Sequence, residues 1–377
     1  MRLLFVHDWL WTMRGGERCL EALCELWPEA PVWTLFACRG RLSPLLQSRT
    51  LRTSWLNRLP AVAYYYRWLL PVLPAVVSSW RVPPVDVVVS LSHCVAKGVR
   101  VPRRTWHVCY CFTPMRYAWD LRDSYFPDRN LVLRRSRDMA LGVLRAWDRY
   151  SSAHVDRFVA ISATVQRRIA ACYGRSSTVI YPPVDTDFYV PGRVRRDEYY
   201  LVVGALTPYK RVDLAVTACQ KLGRYLLVIG DGPCLRRLQA QGAPYVTFAG
   251  WQPDPVIRYH LQRCRALLFP GEEDFGIVPV EANACGTPVI AYGRGGVTET
   301  QVPYGVDRPP TALFFHEQTP EALAEAILQF EKTTDAFDPR HSREQALRFQ
   351  RRRFQREFQA YIAGLVSQGE TGQRQAA

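Results

Sequence analysis

The chain has 377 residues, more than one compact core usually holds, so two domains are expected. Its composition, 48% apolar and 22% charged, describes a globular protein and excludes a disordered one, and no apolar run reaches the roughly 20 residues of a membrane-spanning helix. The net charge of +15, carried almost wholly by arginine, suits a phosphorylated ligand or an anionic surface; without zinc-finger spacing or an aromatic-basic RNP-like strand, no nucleic-acid partner is expected.

In chain order, Leu3–Val6 predicts a first buried strand, too short and too soon polar at His7 and Asp8 for a signal peptide. Gly15 and Gly16 follow it and open a helix running to about Leu26. Glycines there let backbone N–H groups approach an anion at the positive end of a helix, and Glu17 suits a helix cap. From Ala30 to Val85 there is no acidic residue, while Arg39, Arg41, Arg49, Arg52, Arg58, Arg67 and Arg81 alternate with Trp55, Tyr64, Tyr65, Tyr66, Trp68 and Trp80. Within it, Leu56 to Val77 is apolar and broken by Pro60, Pro71 and Pro74. This segment suits either the surface of an anionic bilayer or a helical lid over the core, with equal weight.

Apolar runs at Val85–Leu91, His107–Cys111, Phe158–Ile161 and Thr178–Tyr181 predict further strands, with a helix from about Ala163 to Cys172 between the last two. Tyr181 to Gly192, stiffened by Pro182 and Pro183, reads as a linker. A second half restarts at Tyr199–Val203 and ends in Gly204. Tyr225–Ile229 ends in Gly230, Val246–Phe248 ends in Gly250, and Leu267–Phe269 and Val289–Ala291 follow. A last helix, from about Ser342 to Leu365, places Leu347, Phe354, Phe358, Tyr361, Ile362 and Leu365 on one stripe, and the tail after Ser367 is expected to lie beyond the fold. Strands alternating with helices argue for α/β domains whose parallel sheets bind ligands at the strand ends. The eleven cysteines lack paired spacing, Cys109 and Cys111 being the closest, so a reduced cytoplasmic protein without structural zinc is expected.

The most informative stretch runs from Gly271 through Glu272-Glu273-Asp274-Phe275-Gly276-Ile277-Val278-Pro279-Val280-Glu281 to Cys285-Gly286-Thr287-Pro288-Val289-Ile290. Glu273 falls in a loop, and Glu281 falls one turn inside a helix spanning about Val278 to Ala284. Two carboxylates would repel a phosphate but accept hydrogen bonds well from sugar hydroxyls. The whole string resembles the nucleotide-sugar signature of the retaining GT-B glycosyltransferases of family 4. Val203-Gly204-Ala205-Leu206-Thr207-Pro208-Tyr209-Lys210-Arg211 is similar to that family's phosphate loop, with Ala205 where an arginine is usual. Gly293-Arg294-Gly295-Gly296-Val297-Thr298-Glu299 is similar to its second glycine loop. His107 to Asp120, Ser92 to Val99 and Val179 to Asp185 resemble the bacterial O-antigen mannosyltransferase branch, with Phe112 where many relatives carry a histidine.

The resemblance implies two Rossmann-like domains facing a central cleft: residues 1–190 for the acceptor and 198–345 for the nucleotide sugar, with a helix of about 346–366 crossing back to the first. It implies a retaining transfer of a hexose, mannose from GDP-mannose, to a lipid-linked or cell-surface oligosaccharide in polysaccharide biosynthesis. The cytoplasmic face of the inner membrane is the expected place. Lys210, Arg211 and Glu273 would act on the reaction. Gly15, Gly16, Gly204, Gly230, Gly250, Asp274, Phe275, Gly276, Ile277, Glu281, Gly295, Gly296 and Glu299 would bind the donor, with Glu281 on the ribose. Glu17, His93 and Arg116 would meet the acceptor, with His93 or His107 standing in for the histidine missing at 112. Asp185-Thr186-Asp187 lies in the linker and reads as a turn, so no metal and no cofactor is expected. A UDP- or dTDP-sugar transferase, a GT-B nucleotide-sugar epimerase and an inactive nucleotide-sugar-binding homologue are the alternatives; the oligomeric state is left open.

Overall fold

The computed structural model describes residues 1–119, 131–241 and 244–370. Asp120 and the tail beyond residue 370 lie outside them. The chain folds as two units, Met1–Pro183 together with the C-terminal segment from Arg352, and Val184–Arg351.

The first unit holds a parallel sheet of β1 (Leu3–Leu10), β2 (Val32–Ala37), β3 (Leu51–Thr53), β4 (Val87–Ser92), β5 (Trp106–Cys111), β6 (Arg157–Ala160) and β7 (Ser177–Val179), in the order β3-β2-β1-β4-β5-β6-β7. β1 pairs with β2 through Phe5 and Val32, and with β4 through Leu3 and Val87. Layers cover both faces of the sheet, which is why Leu3 to Val6 and Val87 to Val89 are unbroken apolar runs, all buried. Strand order reverses between β1 and β4. Ser162 starts the helix Ala163–Tyr173 by accepting the Val165 N–H at 3.0 Å, and Gly174 ends it in the left-handed region at φ 67°.

The second unit holds β8 (Tyr199–Val203), β9 (Tyr225–Ile229), β10 (Val246–Gly250), β11 (Leu267–Phe269), β12 (Val289–Tyr292) and β13 (Ala312–Phe315), all parallel, in the order β10-β9-β8-β11-β12-β13. The reversal here falls between β8 and β11. Val202, Val228, Leu268, Ile290 and Leu313 pack with Ala215, Cys219, Leu323 and Ile327 of the helices Val212–Leu222 and Pro320–Lys332.

Three expectations change. The single helix expected from Ser342 to Leu365 is two, Pro339–Leu347 and Arg351–Glu370. Between them Phe349 gives its carbonyl to the Val184 N–H at 2.9 Å, and Gln350 bridges Val184 in parallel. A backbone spent on that pairing cannot stay helical, and Leu347, expected on the buried stripe, is 37% exposed. The same pairing draws the presumed linker after Pro183 into the second unit, where Thr186 and Tyr189 are buried. The boundary therefore falls ahead of the residue 190 expected for the first domain.

The helix Arg351–Glu370 packs on the first unit: Phe354 and Phe358 meet Tyr110 at ring distances of 5.7 and 5.6 Å, and Gln355 donates to the Ala22 carbonyl at 3.0 Å. In the arginine-aromatic segment, Leu56, Val62, Leu70, Leu73, Val76 and Val77 join the first unit's core. Tyr64 at 91% and Trp68 at 84% exposure stay outside with Trp55, so the segment is half core, half surface. Among the described residues no helix is long and apolar enough to cross a membrane.

Phe358→Ala should lower stability by about 3–5 kcal/mol in urea unfolding, by transfer loss plus cavity. Leu347→Ala, equivalent in the sequence pattern, should change it by less than about 0.5 kcal/mol.

Candidate active site

In the second unit the loops that follow β8 and β11 start at the strand ends where the order reverses, which is where open α/β sheets bind ligands. The first loop tightens into a 3₁₀ turn, Pro208–Lys210, and passes through Arg211 at φ 50° before the helix Val212–Leu222. Left-handed backbone at a non-glycine residue is a local strain that the surrounding loop must hold. The Lys210 ammonium pairs with the Glu273 carboxylate of the second loop. Arg211 is turned to its own helix, its Nε and a terminal nitrogen each 3.2 Å from Asp213. Both cations expected to face a diphosphate are thus held by carboxylates, Lys210 by one from another loop and Arg211 by one two residues away.

A third loop, after β12, closes on these two. Gly296 donates to the Glu273 carbonyl at 2.8 Å, and Gly295 bridges Glu273 in parallel. Gly295 sits at φ 77°, and a Cβ there would strike the Glu273 carbonyl; at Gly296 it would strike that of Asp274. Glycine is required at both by this backbone approach. Glu299 follows in the short helix Val297–Thr300, half-buried. A depression lined by Gly204, Ala205, Lys210, Phe269, Gly271 and Glu273 lies among the loops. Gly276, at φ 82°, precedes the helix Ile277–Ala284, which buries Glu281 at 6% exposure. Phe275 is held against Phe349 at 5.6 Å between rings. Gly204, Gly230 and Gly250 end adjacent strands. Gly204 donates to the Ile229 carbonyl at 3.0 Å and Gly230 to that of Gly250 at 2.8 Å; a Cβ on Gly230 would strike the Gly204 carbonyl, while Gly204 and Gly250 hold positive φ angles of 148° and 66° that favour glycine.

In the first unit the reversal brings together the ends of β1 and β4. The side chain of Asp8, fully buried, accepts four consecutive backbone N–H groups: His93 and Cys94 on Oδ2 at 2.7 and 2.9 Å, Val95 and Ala96 on Oδ1, both at 2.7 Å. Next in line, Lys97 is buried and pairs with Asp148, whose other oxygen accepts from Trp119 and Tyr173, each at 2.8 Å. Burial works against the Lys97 charge, but Asp148 outweighs it and holds the ammonium above its ordinary range. Gly15 and Gly16 open the helix Gly15–Leu26, and a Cβ on Gly16 would press on Phe112 at 3.1 Å and on His7 at 3.3 Å. Glu17, buried, accepts the Arg14 N–H at 3.2 Å. Burial pushes its carboxyl up to about 7 and the His7 imidazole down to about 4.

Residues 13–188 match the family described as Glycosyltransferase Family 4, and residues 184–348 match Glycosyl transferases group 1. The chain belongs to the family 4 glycosyltransferases. An uncharacterized glycosyltransferase of Methanocaldococcus jannaschii is 26% identical over 191 residues, 49% of this chain and 52% of that protein. A GDP-mannose-dependent alpha-(1-6)-phosphatidylinositol monomannoside mannosyltransferase of Mycobacterium tuberculosis is 28% identical over 200 residues, 45% and 51% of the two. The matched stretches thus span about half the length of these relatives. Among solved structures, Anabaena Alr3699/HepE in complex with UDP has a TM-score of 0.68 at 15% identity, covering 97% of this chain and 100% of that one. Sucrose-phosphate synthase from Thermosynechococcus elongatus has a TM-score of 0.70 at 16% identity with the same coverage. The fold is GT-B.

In this family 4 chain, the His93 ring lies 6.4 Å from that of Phe112, against which Gly16 also sits, while Arg116 opens the short helix Arg116–Trp119. His107 cannot stand in for the missing histidine: it is buried inside the sheet with Nε2 2.9 Å from the Ser90 hydroxyl. Asp185 accepts the Phe188 N–H at 3.0 Å and shapes a turn. Among the described residues no group of three or more His, Cys, Asp or Glu side chains could hold a metal ion. Asp8 escaped the sequence reading, because its partners lie 85 to 88 positions away.

Glu17 holds its proton more tightly folded than unfolded, where its value is 4.5. Its contribution to stability is therefore complete below 4.5 and lost as pH rises through about 7. His7, lowered from 6.5, has the opposite slope in an overlapping window. The Glu17→Gln variant isolates the carboxyl. Its stability relative to the parent should grow by on the order of 3 kcal/mol between pH 4.5 and 7.5 in urea titrations; a flat difference would mean that the carboxyl is not perturbed.

Proposed function

We propose that the protein is a retaining hexosyltransferase that moves mannose from GDP-mannose to a lipid-linked or cell-surface oligosaccharide acceptor during polysaccharide biosynthesis, without a metal ion. The observation that carries this reading is the meeting of three loops around the Lys210–Glu273 pair at the sheet reversal of the second unit. A cation and a carboxylate that neutralise each other are both available to a ligand that offers each a better partner. A nucleotide sugar does: its diphosphate takes Lys210, and its hexose hydroxyls take Glu273. The Glu281 carboxylate, set in the helix behind, receives the ribose diol. As the glycosidic bond breaks, negative charge grows on the leaving diphosphate, and Lys210 with the loop's backbone N–H groups stabilises it. Arg211 adds to this once it leaves Asp213. The acceptor hydroxyl attacks from the face that the diphosphate leaves, and a phosphate oxygen of the donor takes its proton. Support for mannose comes from the resemblance to the O-antigen branch and from the similarity to the GDP-mannose-dependent mannosyltransferase of Mycobacterium tuberculosis.

Incubation with GDP-mannose, UDP-glucose and dTDP-glucose, with and without oligosaccharide acceptors, tests the reading directly. Transfer from GDP-mannose is expected, and Lys210→Ala should lower kcat by roughly 10²–10³-fold. Conversion of the sugar without any acceptor would favour an epimerase. Saturable binding of none of the donors would sink the transferase assignment.

The same reading includes docking on the cytoplasmic face of an anionic membrane. Trp55, Tyr64 and Trp68 are exposed beside Arg58 and Arg67 in a stretch without acidic residues. Arg49 serves the fold instead, donating to the Cys24 and Pro28 carbonyls. Replacing Arg58 and Arg67 with alanine should weaken co-sedimentation with phosphatidylserine vesicles about tenfold or more, at roughly 1 kcal/mol per charge. Unchanged partition would remove the membrane from the proposal.

A further inference from the structure

Within the second unit, the helix Pro339–Leu347 and the break after it form one support beneath the loops that follow β11 and β12. One terminal nitrogen of Arg343 donates to the Ala284 carbonyl at 3.2 Å and to the Tyr189 carbonyl at 2.7 Å. The first bond closes the carboxyl end of the helix that carries Glu281, where open carbonyls and the negative dipole end favour a cation. Pro339 comes so close that a Cβ on Gly286 would meet it at 2.9 Å. Gln345, 6% exposed, donates to the Thr300 carbonyl at 2.8 Å and closes the helix that carries Glu299. A buried amide is costly unless it is bonded, so that contact holds both of its ends in place.

Phe349 completes the support. It is buried and meets the buried ring of Phe275 at 5.6 Å and an interplanar angle of 71°. The backbone of Phe275 is pressed in turn against Gly296, where a Cβ would come within 2.4 Å of the Phe275 Cα. Phe275 is thus a peg between two loops, with Phe349 against its ring and Glu273 only two residues away. Phe349 reaches this place because the helix is interrupted. Its carbonyl accepts the Val184 N–H at 2.9 Å, Gln350 bridges Val184, and the helix resumes only at Arg351. That pairing fixes the backbone from which the ring projects.

We propose that Phe349 and Gln345 are positioning residues for the donor, which hold the loop of Glu273 and the helix of Glu299 at the spacing a nucleotide sugar requires. This deepens the transferase reading above and rests on it. Phe349 acts through Phe275 on the Lys210–Glu273 pair. Gln345 acts through Thr300 on the loop of Gly295 and Gly296. One ligand has to engage three loops at once, so a displacement of about 1 Å in one of them costs the fit of all. Without its ring, Phe349 leaves space into which Phe275 turns, and the loop loses its place while the sheet stays intact.

The test uses the full chain, with GDP and UDP as calorimetric probes and with the donor and acceptor that the panel above identifies. Phe349→Ala should raise the nucleotide dissociation constant and the donor KM about tenfold or more, while the acceptor KM stays unchanged. Phe349→Leu, which refills most of the space, should recover most of the affinity. Phe330→Ala is the control: Phe330 is fully buried in the core of the same unit, and its loss should lower stability without altering nucleotide affinity. Gln345→Met keeps the shape and removes the bond to Thr300, and it should raise the dissociation constant about threefold. Unchanged nucleotide affinity in Phe349→Ala would overturn the proposal, as would an equal loss of affinity in Phe330→Ala. If Phe349→Ala does not fold, unchanged affinity in Gln345→Met overturns it instead. Failure of the parent protein to bind any nucleotide would remove the donor-site reading itself, a result distinct from loss in the variants alone.

Discussion

Parallel pairing places the carboxyl ends of all the strands of a sheet on one edge, and the reversal of strand order parts two loops at a single point on that edge. Everything chemically suggestive in this chain follows from that constraint applied twice. In the first unit the reversal lies between β1 and β4, and it brings Asp8 to the loop of His93. In the second it lies between β8 and β11, and it brings Lys210 to Glu273. Residues some 60 to 90 positions apart become neighbours because the strands that carry them are adjacent.

The two sites treat charge differently. Asp8 is buried and saturated by backbone, an arrangement that resists exchange because every lost hydrogen bond would leave a polar group unpaired in the interior. The Lys210–Glu273 pair is partly exposed, at 17% and 21% of its side chains, so water can solvate either partner when they separate. One carboxylate serves as a fixed post and the other as a displaceable partner.

Much of this was legible in the sequence, and what was not has a common cause. Most strands were readable as apolar runs because a sheet covered on both faces buries its central strands, whereas β2, β3 and β13 went unread. The string from Gly271 to Ile290 marked the family by the order of its residues. Its glycines and those of the 293–296 loop are explained by carbonyl groups that a Cβ would strike. Pairings between distant residues were hidden. Periodicity carried one helix through Phe349, since nothing local announces that its carbonyl is taken by Val184. His107 looked like a strand-end candidate until Ser90 on the neighbouring strand proved to hold it. Asp8 read as part of the loop after a strand ending at Val6, whereas it lies inside β1, and its four donors arrive only with the loop after β4. The arginine-aromatic segment divides between core and surface along short turns that its prolines break too often for any period to show.

Amide hydrogen exchange of the full chain, with and without saturating GDP or UDP, tests the proposed donor site most directly. Slowed exchange is expected together in the 204–211 loop, the segment from Gly271 to Glu281 and the 293–299 loop, because a diphosphate that draws Lys210 from Glu273 must order all three. Nucleotide binding that leaves these segments unprotected, or that protects only residues of the first unit, would contradict a donor site built on the Lys210–Glu273 pair.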